Sequence, residues 1–110
     1  MNLEKSLARQ LRLAVEEAVV NVIEYAYPPN TEGTVEVTMM YDSHRLKVLI
    51  VDAGMPFDPT AEKKVDTTLS AEERRVGGLG IHLVRELMDS INYERINGHN
   101  ILTLRKQINN

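Results

Sequence analysis

Glu17 and Asn21 stand four positions apart in a stretch otherwise made of Ala18, Val19, Val20, Val22 and Ile23. On a helix that spacing puts the two side chains one turn apart on the same face. An asparagine oxygen suits Mg²⁺, a hard cation that keeps several waters and is held by few protein ligands plus substrate phosphates. A carboxylate one turn away is placed to take a proton from an attacking hydroxyl. The plainer alternative is a solvated polar stripe, to which Glu4, Arg9, Arg12 and Glu16 belong.

The second group is Asp52-Ala53-Gly54-Met55-Pro56-Phe57-Asp58-Pro59, at the end of the aliphatic and β-branched run Leu46 to Val51. The run reads as a strand, so Asp52 sits at a strand end. Burying a carboxylate there is costly unless donors reach it. The amino group of a planar ligand is such a donor, and Gly54 lets the backbone turn tightly or approach a flat ligand closely. Taken alone, an Asp-x-Gly is as well explained by a turn after a core strand.

The third is Gly77-Gly78-Leu79-Gly80, ahead of an apolar-periodic segment from Ile81 to Met88. Glycines at a helix start expose amide N–H groups and add little bulk, which suits phosphate oxygens. A plain hinge is the competing reading. His82, in the first turn, has no metal-ligand set around it and reads as an ordinary histidine.

The elements that must position these residues follow from periodicity. Leu3, Leu7, Leu11, Ala14, Val15, Ala18, Val19, Val22 and Ala26 recur at steps of three and four, predicting a helix from Asn2 to about Tyr27 that Pro28-Pro29 ends. Thr34 to Tyr41 alternates and predicts a strand with one covered and one wetter face; Asp42-Ser43-His44 turns it into Arg45 to Val51. Met55 to Val76 is a loop of 22 residues, a length that is generally functional or disordered, and residues 55–80 are expected to form a lid. Within it Ser70 and Glu73 have capping-box spacing for a short helix. Ser90 to Ile96 and Ile101 to Lys106 read as strands joined at Asn97-Gly98, with Gln107 to Asn110 expected to fray. The order predicts an α+β, two-layer sandwich: an antiparallel-rich mixed sheet with helices on one face.

Residues 1–110 are one domain by length. A net charge of −3 argues against a nucleic-acid surface, and the lack of cysteine removes disulfides and thiolate metal sites. No apolar run is long enough to cross a bilayer, and Glu4, Lys5 and Arg9 interrupt any secretory core, so a cytoplasmic, membrane-free protein is expected. No internal repeat or low-complexity segment is visible. The three groups together describe a nucleotide site in which Asp52 reads the base and Gly78 to Gly80 the phosphates.

At this point the sequence resembles the GHKL (Bergerat, HATPase) ATP-binding fold and, within it, the bacterial anti-sigma factor serine/threonine kinases. Glu17-Ala18-Val19-Val20-Asn21 looks like the N box, Asp52 to Pro59 like the G1 box, and Gly77-Gly78-Leu79-Gly80-Ile81 with Leu83-Val84 and Leu87-Met88-Asp89 like the G2 box. The resemblance implies ATP or ADP and Mg²⁺ as cofactors. It also implies Asn21 as metal ligand, Glu17 as general base, Asp52 as partner of the adenine amino group and Gly54 as a close-approach glycine. Gly78, Leu79 and Gly80 would contact nucleotide at the lid. It further implies transfer of the γ-phosphoryl to a serine or threonine of an anti-anti-sigma protein, and release of a sigma factor. The family's usual first strand and helix are not found ahead of the N-box helix, which leaves homodimer contacts through that strand open. Where many relatives carry Gly-Thr in the last hairpin this chain has Asn97-Gly98-His99-Asn100, and Asn100 is the residue that could replace the threonine's water-mediated adenine contact.

The rival within the fold is a sensor histidine kinase catalytic domain. Such domains usually carry Asn at the position of Glu17 and Lys at that of Glu24, and a helix with a phospho-acceptor histidine precedes them. A carboxylate at position 17 favours a hydroxyl acceptor, which must lose its proton as it attacks. A non-catalytic nucleotide- or partner-binding module is the second alternative; it would retain a partner without labelling it.

Overall fold

Helix α1 runs Lys5–Ala26 and buries Leu11, Ala14, Ala18, Asn21, Val22 and Ala26, one stripe at helical spacing. Three of these are alanines with no exposed surface, so the stripe lets its neighbours come close. The helix ends before Pro28-Pro29, as the ring geometry of proline requires. The computed structural model describes residues 5–61 and 79–108, with 79 and 80 described by their backbone alone. The remaining elements are β1 (Val35–Asp42), β2 (Arg45–Asp52), α2 (Leu79–Leu87), β3 (Ser90–Ile96) and β4 (His99–Gln107). The short helix expected at Ser70 to Arg74 and most of the expected lid lie outside the described residues.

The strands form one sheet in the order β1-β2-β4-β3, and every pairing is antiparallel among the described residues. Two hairpins are thus zipped together along β2 and β4. The second closes on Ile96 and His99 across Asn97 and Gly98, both at positive φ (50° and 78°), the backbone a two-residue hairpin loop demands. Because that loop is so short, β4 begins at His99, two residues earlier than the expected Ile101.

Strand β2 alternates, burying Leu46, Val48, Ile50 and Asp52. Val48 faces Leu104, Ile50 faces Leu102 and Asp52 faces Asn100 across the β2–β4 pairing. These residues, with Val84, Met88 and the α1 stripe, make the core between the sheet and the helices, and α1 packs on α2 and on β2. Each of the valine, leucine, isoleucine and methionine side chains among them contributes about 1.5–3 kcal/mol by leaving water. The result is a two-layer α+β sandwich with its helices on one face.

Two expectations need correction. β1 has no covered face beyond Val35: Val37, Met39 and Tyr41 share the core side with Ile50, Val48 and Leu46 yet are exposed, because β1 is the edge strand and the helices cover the centre of the sheet. The tail does not fray at Gln107. Ile108 is buried and its amide donates to the His44 carbonyl at 2.5 Å, closing the end of the first hairpin.

Candidate functional site

Asp52 ends β2 with only 2% of its surface exposed. Its Oδ1 accepts the Gly54 amide at 2.8 Å and the Asn100 side-chain amide at 2.9 Å. Its Oδ2 is buried and has no hydrogen-bond partner among the described residues. A buried carboxylate with one oxygen saturated and the other unmet is expensive to keep. It is also a ready acceptor for a donor brought by a ligand.

The loop after Asp52 is stitched to the end of α1. Met55 donates its amide to the Ala26 carbonyl at 2.7 Å, satisfying one of the carbonyls a helix leaves open at its C-terminus. Gly54 lies so close to that carbonyl that a Cβ would stand 2.4 Å from its oxygen, so the close approach Gly54 makes in this fold is to α1. The Tyr27 hydroxyl accepts the Ala53 amide at 3.2 Å and donates to the Thr34 carbonyl at 2.8 Å, linking the loop, α1 and the approach to β1. Arg95 donates to the Gly54 carbonyl at 2.8 Å from β3. Phe57 stacks on Tyr25 with ring centroids 5.1 Å apart.

The two polar positions of α1 lie back along the helix from this junction. Asn21 precedes Ala26 by five residues, roughly 7.5 Å along the axis. It lies one turn before Tyr25, the residue that carries Phe57. Asn21 is a buried residue, at 8% exposure, and its side chain has no hydrogen-bond partner among the described residues, although its amide is not one of the fully buried unmet groups. Glu17, one turn further back, is half-buried. The ion pair on α1, Arg12 with Glu16 at 2.8 Å, belongs to the exposed side and leaves Glu17 out. The Tyr25 hydroxyl is buried without a partner among the described residues; that burial, and secondarily the charge of Glu24, pushes its pKa above the ordinary phenol value of 10.0.

Leu79 and Gly80 form the first residues of α2, which begins two positions before the expected Ile81. Their amides are among the four that a helix leaves unbonded at its start. Gly78 lies outside the described residues. His82 is exposed, and no group of three or more His, Cys, Asp or Glu suited to a metal occurs among the described residues. Magnesium held by one amide and substrate oxygens needs no such group.

Asn100 carries a role the sequence reading did not assign. It is 3% exposed. Its Nδ2 donates to Asp52 Oδ1 at 2.9 Å and to the Met55 carbonyl at 2.8 Å, while its Oδ1 accepts the Phe57 amide at 3.2 Å and the Tyr93 hydroxyl at 2.5 Å. Both donors and both lone pairs are consumed. The side chain therefore has nothing left for a water-mediated adenine contact, which corrects the expectation that it replaces the family's threonine. The signal that locates Asn100 was available: a two-residue loop at Asn97-Gly98 starts β4 at His99, and alternation then puts Asn100 on the face of Leu102 and Leu104.

With this geometry in place, three comparisons bear on the chain. The family model described as histidine kinase-like ATPase domain matches residues 1–106. The serine/threonine-protein kinase BtrW of Bordetella bronchiseptica is 30% identical over 94 residues, covering 86% of this chain and 66% of that protein. The serine-protein kinase RsbW of Staphylococcus epidermidis is 34% identical over 92 residues (79% of this chain, 58% of that protein). RsbW of Listeria monocytogenes is 33% identical over 85 residues (74% and 54%). The chain thus spans between 54% and 66% of the length of these relatives. Among solved structures, the catalytic domain of histidine kinase ThkA superposes with a TM-score of 0.63 at 15% identity, covering 90% of this chain and 65% of that one. Histidine kinase AdeS of Acinetobacter baumannii superposes with a TM-score of 0.60 at 20% identity, covering 93% and 47%. At those identities the likeness is one of fold.

Proposed function

The chain belongs to the histidine kinase-like ATPase domain family, and on that premise we propose that it is a Mg-ATP-dependent serine/threonine protein kinase acting as an anti-sigma factor. Its phospho-acceptor is a serine or threonine of an anti-anti-sigma protein, and its other partner is a sigma factor. The observation that carries the nucleotide reading is the buried Asp52 carboxylate with Oδ2 unmet among the described residues. The amino group of adenine supplies the missing donor.

Asn21 fits a metal-ligand role because no hydrogen bond engages its side chain among the described residues. Magnesium bound there would neutralise charge on the nucleotide phosphates. Glu17 accepts the proton of the acceptor hydroxyl as its oxygen bonds to the γ-phosphorus and the bond from that phosphorus to the bridging oxygen of ADP breaks. A half-buried carboxylate outside any ion pair among the described residues is available for that task. Gly78, Leu79 and Gly80 contribute backbone amides to phosphate oxygens.

A serine or threonine acceptor is favoured over histidine by the carboxylate at position 17, since a hydroxyl nucleophile needs a base. It is favoured also by the names of the relatives at 30% identity and above. The test of the nucleotide site is titration of ATP into the intact protein with and without Mg²⁺, alongside Asp52→Asn. Affinity should require the metal and should fall about 10- to 150-fold in the variant, the value of a hydrogen bond to a charged acceptor. An Asp52→Asn protein that binds ATP as tightly as the parent would sink the reading.

A further inference from the structure

We propose that Asn100 is a positioning residue for nucleobase selection: it fixes which oxygen of Asp52 is left for the ligand and thereby aims the acceptor with which the site selects a purine bearing an exocyclic amino group. The inference rests on the nucleotide reading above and adds to it a residue outside the motifs that suggested that reading.

The orientation of the Asn100 amide is dictated by the backbone. The Phe57 amide can only donate and the Met55 carbonyl can only accept, so the side-chain oxygen must face the first and the nitrogen the second. The Tyr93 hydroxyl donates to that same oxygen. With the amide so fixed, its remaining N–H has one acceptor, Asp52 Oδ1, which the Gly54 amide also reaches. Oδ1 is then saturated and Oδ2 is left as a buried acceptor. A ligand amino group satisfies that oxygen; a ligand carbonyl in the same place sets acceptor against acceptor and is rejected. The cross-strand pairing of Asp52 with Asn100 builds the brace into the centre of the sheet, where neither residue can turn away without breaking the loop contacts.

The alternative is that Asn100 only holds the loop together. The two roles differ in what they do to discrimination. Loss of a structural strut weakens binding of every purine nucleotide alike. Loss of the brace lets the carboxylate turn and so reduces the advantage of the amino group itself.

The test measures dissociation constants of Mg²⁺ complexes of ATP and of purine riboside triphosphate, which lacks the amino group, for the intact protein and for Asn100→Ala. The parent should prefer ATP by about 10- to 150-fold, and in Asn100→Ala the ratio should fall well below the parental value. Should Asn100→Ala not fold, Asn100→Ser, with a hydroxyl that reaches fewer of the four partners, carries the same comparison. An ATP preference that persists undiminished in a folded variant overturns the positioning role and leaves the nucleotide site standing. A parent that binds neither ligand overturns the nucleotide reading and this role together.

Discussion

Gly54 and Ala26 are in backbone contact: the Ala26 carbonyl oxygen lies 2.4 Å from where a Cβ on Gly54 would stand, and the neighbouring Met55 amide is bonded to the same oxygen. The contact fixes the end of α1 against the loop that leaves Asp52. Backbone on both sides leaves nothing flexible to give way. Gly54→Ala should therefore cost about 1–3 kcal/mol, as overpacking does. Urea unfolding of parent and variant measures it, and a midpoint unchanged by the methyl group would contradict the packing described.

Asn21→Ala is expected to separate stability from function. The residue is buried and its side chain has no hydrogen-bond partner among the described residues, so its removal should cost no more than about 1 kcal/mol of stability. Metal-dependent nucleotide binding should disappear. Thermal unfolding and ATP titration with and without Mg²⁺, run on the same preparations, test both halves.

Much of this was legible in the sequence. The step of three and four in α1, the Pro28-Pro29 stop and the Asn97-Gly98 hairpin each have a local physical cause, so the elements could be placed before any tertiary contact was known. The open face of β1 was not legible, because alternation in Val35, Val37 and Met39 says which side chains share a face and nothing about what covers it. The bracing role of Asn100 was not legible for a related reason. Its meaning lies in a register 48 positions away in sequence, with Asp52, and only the pairing of the two hairpins creates it. The motif residues Glu17, Asn21, Asp52 and Gly54 could be found by type and spacing, whereas the struts around the loop after Asp52, Tyr27, Tyr93 and Arg95, carry no local pattern.

Tyr27→Phe should loosen the loop locally. The hydroxyl both accepts from Ala53 and donates to Thr34, so its loss should cost about 0.5–1.5 kcal/mol for each net bond. Amide hydrogen exchange at Ala53 should accelerate more than at core strand positions such as Val48. Equal acceleration everywhere would mean that the hydroxyl supports the whole fold, not this junction.

Tyr25 gives a pH signature with a definite sign. Burial raises its folded pKa above 10.0, so the folded state holds the proton longer than the unfolded chain does. Its contribution to stability is full below the unfolded pKa and is lost as pH rises from there through the folded pKa. Stability should therefore decline above about pH 10, and Tyr25→Phe, which keeps the ring on Phe57, should make that decline shallower. Unfolding midpoints across the alkaline range decide it; an unaltered slope in the variant would assign the decline to other groups.

The central claim is that Glu17 serves as the base in phosphoryl transfer to a hydroxyl. Incubation of the intact protein with an anti-anti-sigma domain and ATP labelled at the γ-phosphate, beside Glu17→Gln shown to bind ATP equally well, tests it most directly. The account predicts label on a serine or threonine of the partner with the parent and loss of that label with Glu17→Gln. Partner retained but unlabelled by the parent, or labelled at the parental rate by Glu17→Gln, would contradict it.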